Sequence, residues 1–133
     1  MLSPLQTNKG FKYYVSFIDD FTRFTWIYPM KHKSEVYSHF CNFKVLIENL
    51  FDCKIKMFQS DGGREFDNTP MGDLFLKHGI YFRKSCPDTQ QQNGVAERKH
   101  RHILEMTRSF LIEASMPSQY WLDAAYAAVF TIN

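Results

Sequence analysis

The sequence predicts a mixed α/β domain in which helices pack on one central sheet. Two neighbouring segments near the start show the period-two alternation of strands, and the later segments alternate helical spacing with short apolar runs. The resulting order is strand, strand, helix, strand, helix, strand, helix, helix, which is typical of this architecture. With 133 residues the chain has the size of one domain, so we expect residues 1–133 to form a single domain.

The first two predicted strands form an antiparallel pair. Residues 13–18 alternate aromatic and β-branched side chains, as strands do. Residues 19–23 carry turn-forming side chains, and residues 24–30 alternate again. Because Pro29 has no backbone N–H, we expect it near an end or edge of the second strand.

An amphipathic helix and a third strand lead to the first residue of chemical interest. From Ser34, a candidate N-cap, apolar residues recur at helical spacing. They are Val36, Phe40, Phe43, Ile47 and Leu50. A short apolar run over residues 54–60 then predicts a strand that ends at Asp61, directly before two glycines.

The second half of the chain is predicted to be mainly helical. A short helix over residues 71–77 is closed by Gly79 and followed by a brief strand over residues 80–84. An exposed loop over residues 85–93 precedes a long helix that Pro117 stops. A last apolar helix runs to the end of the chain.

Composition narrows the class of protein. Hydrophobic residues make up 44% and aromatic residues 17%, which argues against disorder. The net charge of +2 neither demands nor excludes a nucleic-acid partner. Three cysteines without metal-ligand spacing favour a reduced intracellular setting. No apolar run approaches the roughly 18 residues of a membrane span, so we expect no membrane partner.

Two acidic residues, Asp61 and Glu97, fall where carboxylates from a strand end and a helix start can meet. Their separation alone is uninformative, because 14 acidic residues in 133 make about one such pair by chance. In isolation, Asp61 is a turn aspartate and Glu97 a first-turn glutamate paired with Arg101 four residues on. The surrounding sequences carry the stronger signal.

Those surroundings are QSDGGREF at residues 59–66 and SCPDTQQQNGVAERKHR at residues 85–101. Here the sequence resembles the integrases of copia-type long-terminal-repeat retrotransposons. The resemblance continues through residues 13–26 and 117–133, so it covers essentially the whole chain. It implies an RNase H-like fold and a DDE-type recombinase core that binds two Mg²⁺ or Mn²⁺ ions.

The resemblance also implies roles for individual residues. Asp61 and Glu97 would be the catalytic carboxylates that bind the metals, and Asn93, Lys99 and Arg101 would face DNA. Carboxylates are hard oxygen ligands suited to Mg²⁺, and two such ions can activate water or a 3′-hydroxyl in phosphoryl transfer. Six Lys or Arg against three acids over residues 83–108 fit a DNA-facing surface, although basic helix faces are usually only solvated.

Several departures from the family pattern bear on activity. The family's first catalytic Asp lies on a strand that precedes this sequence, so we expect that strand to be missing or incomplete and do not assign its role to Asp19 or Asp20. The family's upstream zinc-binding segment is not in the sequence. Gly62 stands where the family usually has Asn, and Gln90 where it usually has Pro.

Three functional readings remain. The first is DNA integration, with 3′-end processing and strand transfer in the nucleus, by a fragment of a retrotransposon polyprotein that can form homo-oligomers. The alternative is a catalytically dead relic that binds nucleic acid non-specifically. The third is an RNase H-like nuclease that hydrolyses DNA instead of joining it. Because losing one metal ligand costs orders of magnitude in rate, we expect little or no activity from this chain alone.

Overall fold

The computed structural model describes residues 9–84 and 94–133. These residues form, in chain order, β1 (Tyr13–Ile18), β2 (Thr25–Met30), α1 (Val36–Phe51), β3 (Met57–Ser60), α2 (Thr69–His78), β4 (Tyr81–Lys84), α3 (Gly94–Glu113) and α4 (Trp121–Ile132). Single 3-10 turns precede α1 and α4. The first of two compact units holds β1, β2, α3 and α4, and the second holds α1, β3, α2 and β4.

In the first unit, β1 and β2 form the antiparallel pair that the sequence predicts. Their register runs from Tyr13 opposite Met30 to Ile18 opposite Thr25. The connecting loop is closed by two backbone hydrogen bonds: the Asp19 N–H donates to the Phe24 carbonyl at 2.9 Å, and the Arg23 N–H donates to the Asp19 carbonyl at 2.8 Å. The prediction for this part of the chain is confirmed.

The core of the first unit forms where α3 and α4 cover one face of the strand pair. Tyr14 and Ile27 point to this face and join Ile103 of α3 and Trp121 of α4 in one buried cluster. Burying a large apolar side chain contributes roughly 1.5–3 kcal/mol, so this cluster holds both helices on the strands. Val15 on the opposite face of β1 is buried as well, so β1 is covered on both faces.

In the second unit, α2 connects two parallel strands. β3 pairs with β4 from Met57 opposite Tyr81 to Ser60 opposite Lys84. Parallel neighbours require such a crossover, and α2 supplies it. Gly79 caps α2 in the left-handed conformation at φ 64°, which confirms its predicted role.

Five phenylalanines build the core of the second unit, and we call them the phenylalanine cluster. They are Phe40, Phe58, Phe66, Phe75 and Phe82. Phe58 of β3 lies at the centre, with its ring centroid 5.0 Å from that of Phe40 and 5.4 Å from that of Phe75. Aromatic pairs at such distances contribute about 0.5–1.5 kcal/mol each beyond their buried area. The cluster therefore anchors the strand that ends at Asp61.

Helix α1 departs from its predicted pattern at both ends. Ser34 is not the N-cap, because it lies inside the preceding 3-10 turn, and the N-cap Glu35 makes no side-chain capping hydrogen bond. Leu50 was predicted to be apolar core, but 67% of it is exposed. Lys44 is buried instead, and its Nζ lies 2.6 Å from Oε1 of Glu48.

The loop predicted over residues 85–93 lies outside the described residues. The long helix after it is confirmed as α3, although it ends at Glu113, before Pro117. Within residues 9–84 and 94–133, no helix is both long and apolar enough to cross a lipid bilayer.

Candidate active site

Asp61 lies directly after β3, at the carboxyl end of the parallel strand pair. Its side chain is exposed, and Oδ1 accepts a hydrogen bond of 3.0 Å from the Gly63 N–H. Within the described part of the chain, Oδ2 has no hydrogen-bond partner. Ligand sites of open α/β sheets lie at this edge, outside the carboxyl ends of the strands. The carboxylate is therefore oriented by its own loop and keeps one oxygen available to a cation.

The glycine after Asp61 allows a basic side chain to approach the loop. Gly62 has φ 81°, and a Cβ at this position would overlap the Lys84 side chain. Lys84 Nζ lies 2.9 Å from Oδ2 of Asp67, which holds the lysine across the loop. Gly62 stood out in the sequence as a departure from the family pattern. Lys84 belongs to the basic run over residues 83–108, but no sequence pattern placed it beside Gly62. The replacement of the usual Asn by Gly was the one signal that could have indicated a close neighbour.

The rest of this loop is fastened to the domain by backbone and side-chain bonds. The N–H groups of Phe66 and Asp67 donate to the Gly63 carbonyl at 3.0 and 2.8 Å. Asn68 caps α2 by accepting from the Met71 N–H at 3.0 Å and donates through Nδ2 to the Arg64 carbonyl at 2.8 Å. Phe66 is only 6% exposed and joins the phenylalanine cluster. The candidate ligand Asp61 thus sits on a well-anchored loop.

Glu97 lies in the first turn of α3 in the first unit, and its side chain is exposed. A carboxylate is favoured there because the helix dipole places positive charge at the N-terminus. The simple structural reading of Glu97 included an ion pair with Arg101. That pair does not form, since the ion pairs among the described residues lie elsewhere. The helix dipole stabilises the negative charge of Glu97, but no side chain among the described residues forms an ion pair with it.

The residues expected to face DNA do not share one side of α3. Lys99 is half-buried and Arg101 is exposed. Two residues apart on a helix means about 200° of rotation, so the two side chains leave α3 in nearly opposite directions. Lys99 lines a cavity of about 250 Å³ in the first unit together with Arg23, Val95, Arg98 and His102. Asn93 lies outside the described residues.

Comparison with known proteins finds relatives of similar sequence. The chain is 46% identical over 131 residues to the retrovirus-related Pol polyproteins from transposons RE1 and RE2 of Arabidopsis thaliana, and 39% identical over 129 residues to that from transposon TNT 1-94 of Nicotiana tabacum. These alignments cover 97–98% of the chain but only 9–10% of the polyproteins, so the chain spans about a tenth of their length. No family model matches the chain.

Solved structures give the fold. The structure of the HTLV-2 integrase catalytic core domain in complex with magnesium (trimeric form) superposes with a TM-score of 0.64 at 16% identity, covering 96% of this chain and 78% of that one. A chain of the simian T-cell lymphotropic virus intasome in complex with PP2A regulatory subunit B56 gamma superposes with a TM-score of 0.71 at 15% identity, covering 90% of this chain and 41% of that one. The chain is homologous to copia-type retrotransposon Pol polyproteins and has the fold of an integrase catalytic core.

The expected RNase H-like α/β fold is therefore confirmed. The sequence of the chain is thus similar to a segment of retrotransposon Pol polyproteins, and its fold is similar to that of integrase catalytic cores. Within that fold, the structure describes β1 and β2 as one strand pair and β3 and β4 as another, each in its own unit.

The donor chemistry of the two candidate carboxylates suits divalent cations. Asp61 and Glu97 both present exposed carboxylates, which are the oxygen ligands that Mg²⁺ and Mn²⁺ prefer. They belong to different units. Within residues 9–84 and 94–133, His, Cys, Asp and Glu side chains form no group of three that could hold a metal ion. The described residues thus offer single carboxylates of the right type and not a complete ligand set.

Asp19 has a structural role in the loop between β1 and β2. Its Oδ2 accepts hydrogen bonds from the Thr22 hydroxyl at 2.6 Å and the Thr22 N–H at 2.9 Å. The bond from the Thr22 hydroxyl has the larger effect and the bond from the Thr22 N–H the next, and together they hold the pKa of the Asp19 carboxyl below its usual range. This oxygen caps the loop between β1 and β2.

Proposed function

We propose that this integrase core catalyses polynucleotidyl transfer during DNA integration, trimming the 3′ ends of element DNA and joining them to target DNA. Asp61 and Glu97 are the proposed catalytic carboxylates and ligands of two Mg²⁺ or Mn²⁺ ions. The observation that carries the proposal is Asp61 itself. In a chain 46% identical to retrotransposon Pol polyproteins over 131 residues, it is an exposed carboxylate on an anchored loop, and one of its oxygens accepts no hydrogen bond from the residues that the structure describes.

The residues of the chain contribute by orienting ligands and not by covalent chemistry. The Gly63 N–H fixes one oxygen of Asp61, so the other points outward without a large loss of side-chain entropy on binding. Glu97 adds a carboxylate from a rigid helix start. Divalent ions bound to these groups supply the chemistry of activating a water or a 3′-hydroxyl and stabilising the leaving oxygen. Cutting and joining then differ only in the nucleophile.

DNA and further copies of the chain are the proposed partners. Asn93, Lys99 and Arg101 are the proposed DNA contacts, because Lys and Arg position nucleic-acid backbones through phosphate contacts. The two structural neighbours support a multimeric, DNA-related role: one belongs to an intasome, and the other is a trimeric integrase core in complex with magnesium. Integration of element DNA into a genome places the proposed activity in the nucleus.

The alternative function is non-specific binding of nucleic acid by a chain that has lost its catalytic activity. The observation that favours it is the lack of a three-residue metal-ligand group within residues 9–84 and 94–133. A site with two carboxylates binds its metal ions more weakly than a site with the full ligand set. The rate of phosphoryl transfer falls when a metal ligand is missing.

Strand transfer on labelled oligonucleotides in Mg²⁺ or Mn²⁺ separates the two functions. We would compare this chain with a version that carries the preceding segment of the RE1 polyprotein, and then introduce Glu97→Gln or Asp61→Asn into the extended version. Glu105→Gln is the matched control, because Glu105 is another exposed glutamate of α3. Joining that survives in the control and disappears in the two site variants supports integration. A folded but silent extended protein supports the relic.

A further inference from the structure

The cavity beside α3 in the first unit is a basic site, distinct from the candidate metal-binding carboxylates. Arg98, Lys99 and His102 line it at the three- and four-residue spacings that form one stripe of a helix, and Arg23 from the β1–β2 loop completes the cationic lining. Glu97 lies about 100–160° around the helix axis from these three side chains. The pocket therefore faces a different direction from the candidate metal-binding carboxylate of α3.

The cations of this pocket are poorly compensated by the protein. Among the described residues, Arg98 and Lys99 form no ion pair. Arg23 lies 2.6 Å from Asp20, but the Asp20 side chain is 99% exposed, and such surface pairs are weak and screened by salt. Arg23, Arg98 and Lys99 bring three positive charges to one cavity, and like charges at short range repel each other. Binding an anion would relieve this repulsion.

The backbone of Arg23 supplies an independent observation. Its φ is 64°, in the left-handed region that glycine and asparagine adopt much more readily than arginine. The conformation is imposed by the loop, since the Arg23 N–H donates to the Asp19 carbonyl at 2.8 Å. An unfavourable residue type at a constrained position that lines a cavity points to a role for its side chain.

We infer that this pocket binds a backbone phosphate of nucleic acid, separately from the metal-binding carboxylates. Arginine guanidinium groups match phosphate oxygens with two parallel hydrogen bonds, and Lys99 adds a point charge. Among the described residues, the lining contains no Phe, Tyr or Trp, and Arg23, Arg98 and Lys99 supply three cationic groups, which favours the phosphate over the base. The polyanionic backbone is the part of a nucleic acid that such a pocket can recognise.

This inference rests on the proposed DNA binding of the integrase core, but it does not depend on catalysis. Phosphate binding needs no metal ion, so it can be measured in EDTA, where strand transfer is silent. The two proposals are therefore tested by different measurements: DNA binding in EDTA tests the pocket, and strand transfer with a divalent ion tests catalysis.

The test is fluorescence anisotropy of a labelled DNA duplex with the full chain in EDTA at several salt concentrations. Arg98→Gln removes one cation from the pocket, and Arg108→Gln is the matched control. Arg108 is an exposed arginine of the same helix, about 15 Å further along it, and does not line the cavity. We expect Arg98→Gln to weaken binding about tenfold at low salt and to lower the slope of log K against log salt by about 1. The control should change affinity less than about twofold.

Arg23→Ala provides a second arm on a different element, and thermal unfolding verifies that each variant is folded. Loss of affinity in both Arg98→Gln and Arg23→Ala, with the control unchanged, supports the pocket. Equal losses in Arg98→Gln and Arg108→Gln would show that only overall charge matters and would overturn the inference. So would unchanged binding in both pocket variants. Displacement of the duplex by polyglutamate at equal charge concentration would instead assign the pocket to an acidic protein partner.

Discussion

The hydroxyl of Tyr14 in β1 lies 2.5 Å from Nδ1 of His100 in α3, although the two residues are 86 positions apart. Burial raises the pKa of Tyr14, so its phenol stays protonated and can donate. Burial likewise lowers the pKa of His100 to about 4, so its imidazole is neutral at pH 7 and Nδ1 can accept. The bond ties the helix that carries Glu97 to the first strand.

This bond predicts that acid destabilises the first unit. The folded-state pKa of His100 lies below the unfolded value of about 6.5, so the unfolded chain binds more protons between pH 6.5 and about 4. The free energy of unfolding should fall as the pH falls through that window and level off below it. Because the side chain is only half-buried, we expect a loss of about 1–2 kcal/mol. Urea unfolding of His100→Asn should show a much smaller pH dependence, and an unaltered slope would refute the assignment.

The folded chain is predicted to lose little stability when Trp121 is replaced by Phe. It is 6% exposed, and its Nε1 is buried without a hydrogen-bond partner among the described residues. Trp121→Phe removes this unsatisfied donor and keeps most of the aromatic packing, so the expected cost is less than about 1.5 kcal/mol. Trp121→Ala leaves a cavity beside Tyr14 and should cost about 3–5 kcal/mol. Similar costs for the two variants in denaturant unfolding would show that the indole nitrogen is satisfied in solution.

Replacing Arg23 by Asn should stabilise the folded chain while weakening its proposed binding to nucleic acid. Asparagine tolerates the left-handed conformation at φ 64° better than arginine, and the exposed ion pair with Asp20 contributes little. We expect the free energy of unfolding to rise by about 0.5–1 kcal/mol. Arg23→Ala is the control, because it removes the same charge without relieving the backbone. A destabilised Arg23→Asn protein would contradict the strain argument.

Gly62 and Lys84 are predicted to be energetically coupled. A Cβ at residue 62 would overlap the Lys84 side chain, and φ 81° adds backbone strain. Gly62→Ala should therefore cost about 1–3 kcal/mol in the wild-type protein. In a Lys84→Ala background the cost should fall by about 0.5–1 kcal/mol, because only the overlap is removed. A double-mutant cycle by thermal unfolding measures this coupling, and additive effects would show that Lys84 does not lie against Gly62.

Local sequence patterns predicted most of the secondary structure. The alternation of residues 13–18 and the turn chemistry after them place β1 and its hairpin correctly, because strand period and turn preference are properties of a few adjacent residues. Gly79 marks the end of α2 for the same reason. Asp61 was placed at the end of a strand by the glycines that follow it, and the structure agrees.

Patterns alone could not say which faces are covered. The apolar stripe of α1 includes Leu50, yet Leu50 is exposed while Lys44 is buried beside Glu48. Helical periodicity defines a face, but burial depends on whether another element reaches it. Val15 and Tyr14 are both buried on opposite faces of β1, which period-two alternation did not indicate.

By itself, the sequence determined the elements, the family resemblance and the identity of the candidate carboxylates, because these depend on residue type and short-range spacing. The tertiary structure decided which distant side chains meet: Tyr14 with His100, Lys84 with Gly62, and Arg23 with the basic stripe of α3. Contacts between residues far apart in the chain follow from how helices and strands pack, and no local spacing encodes that packing.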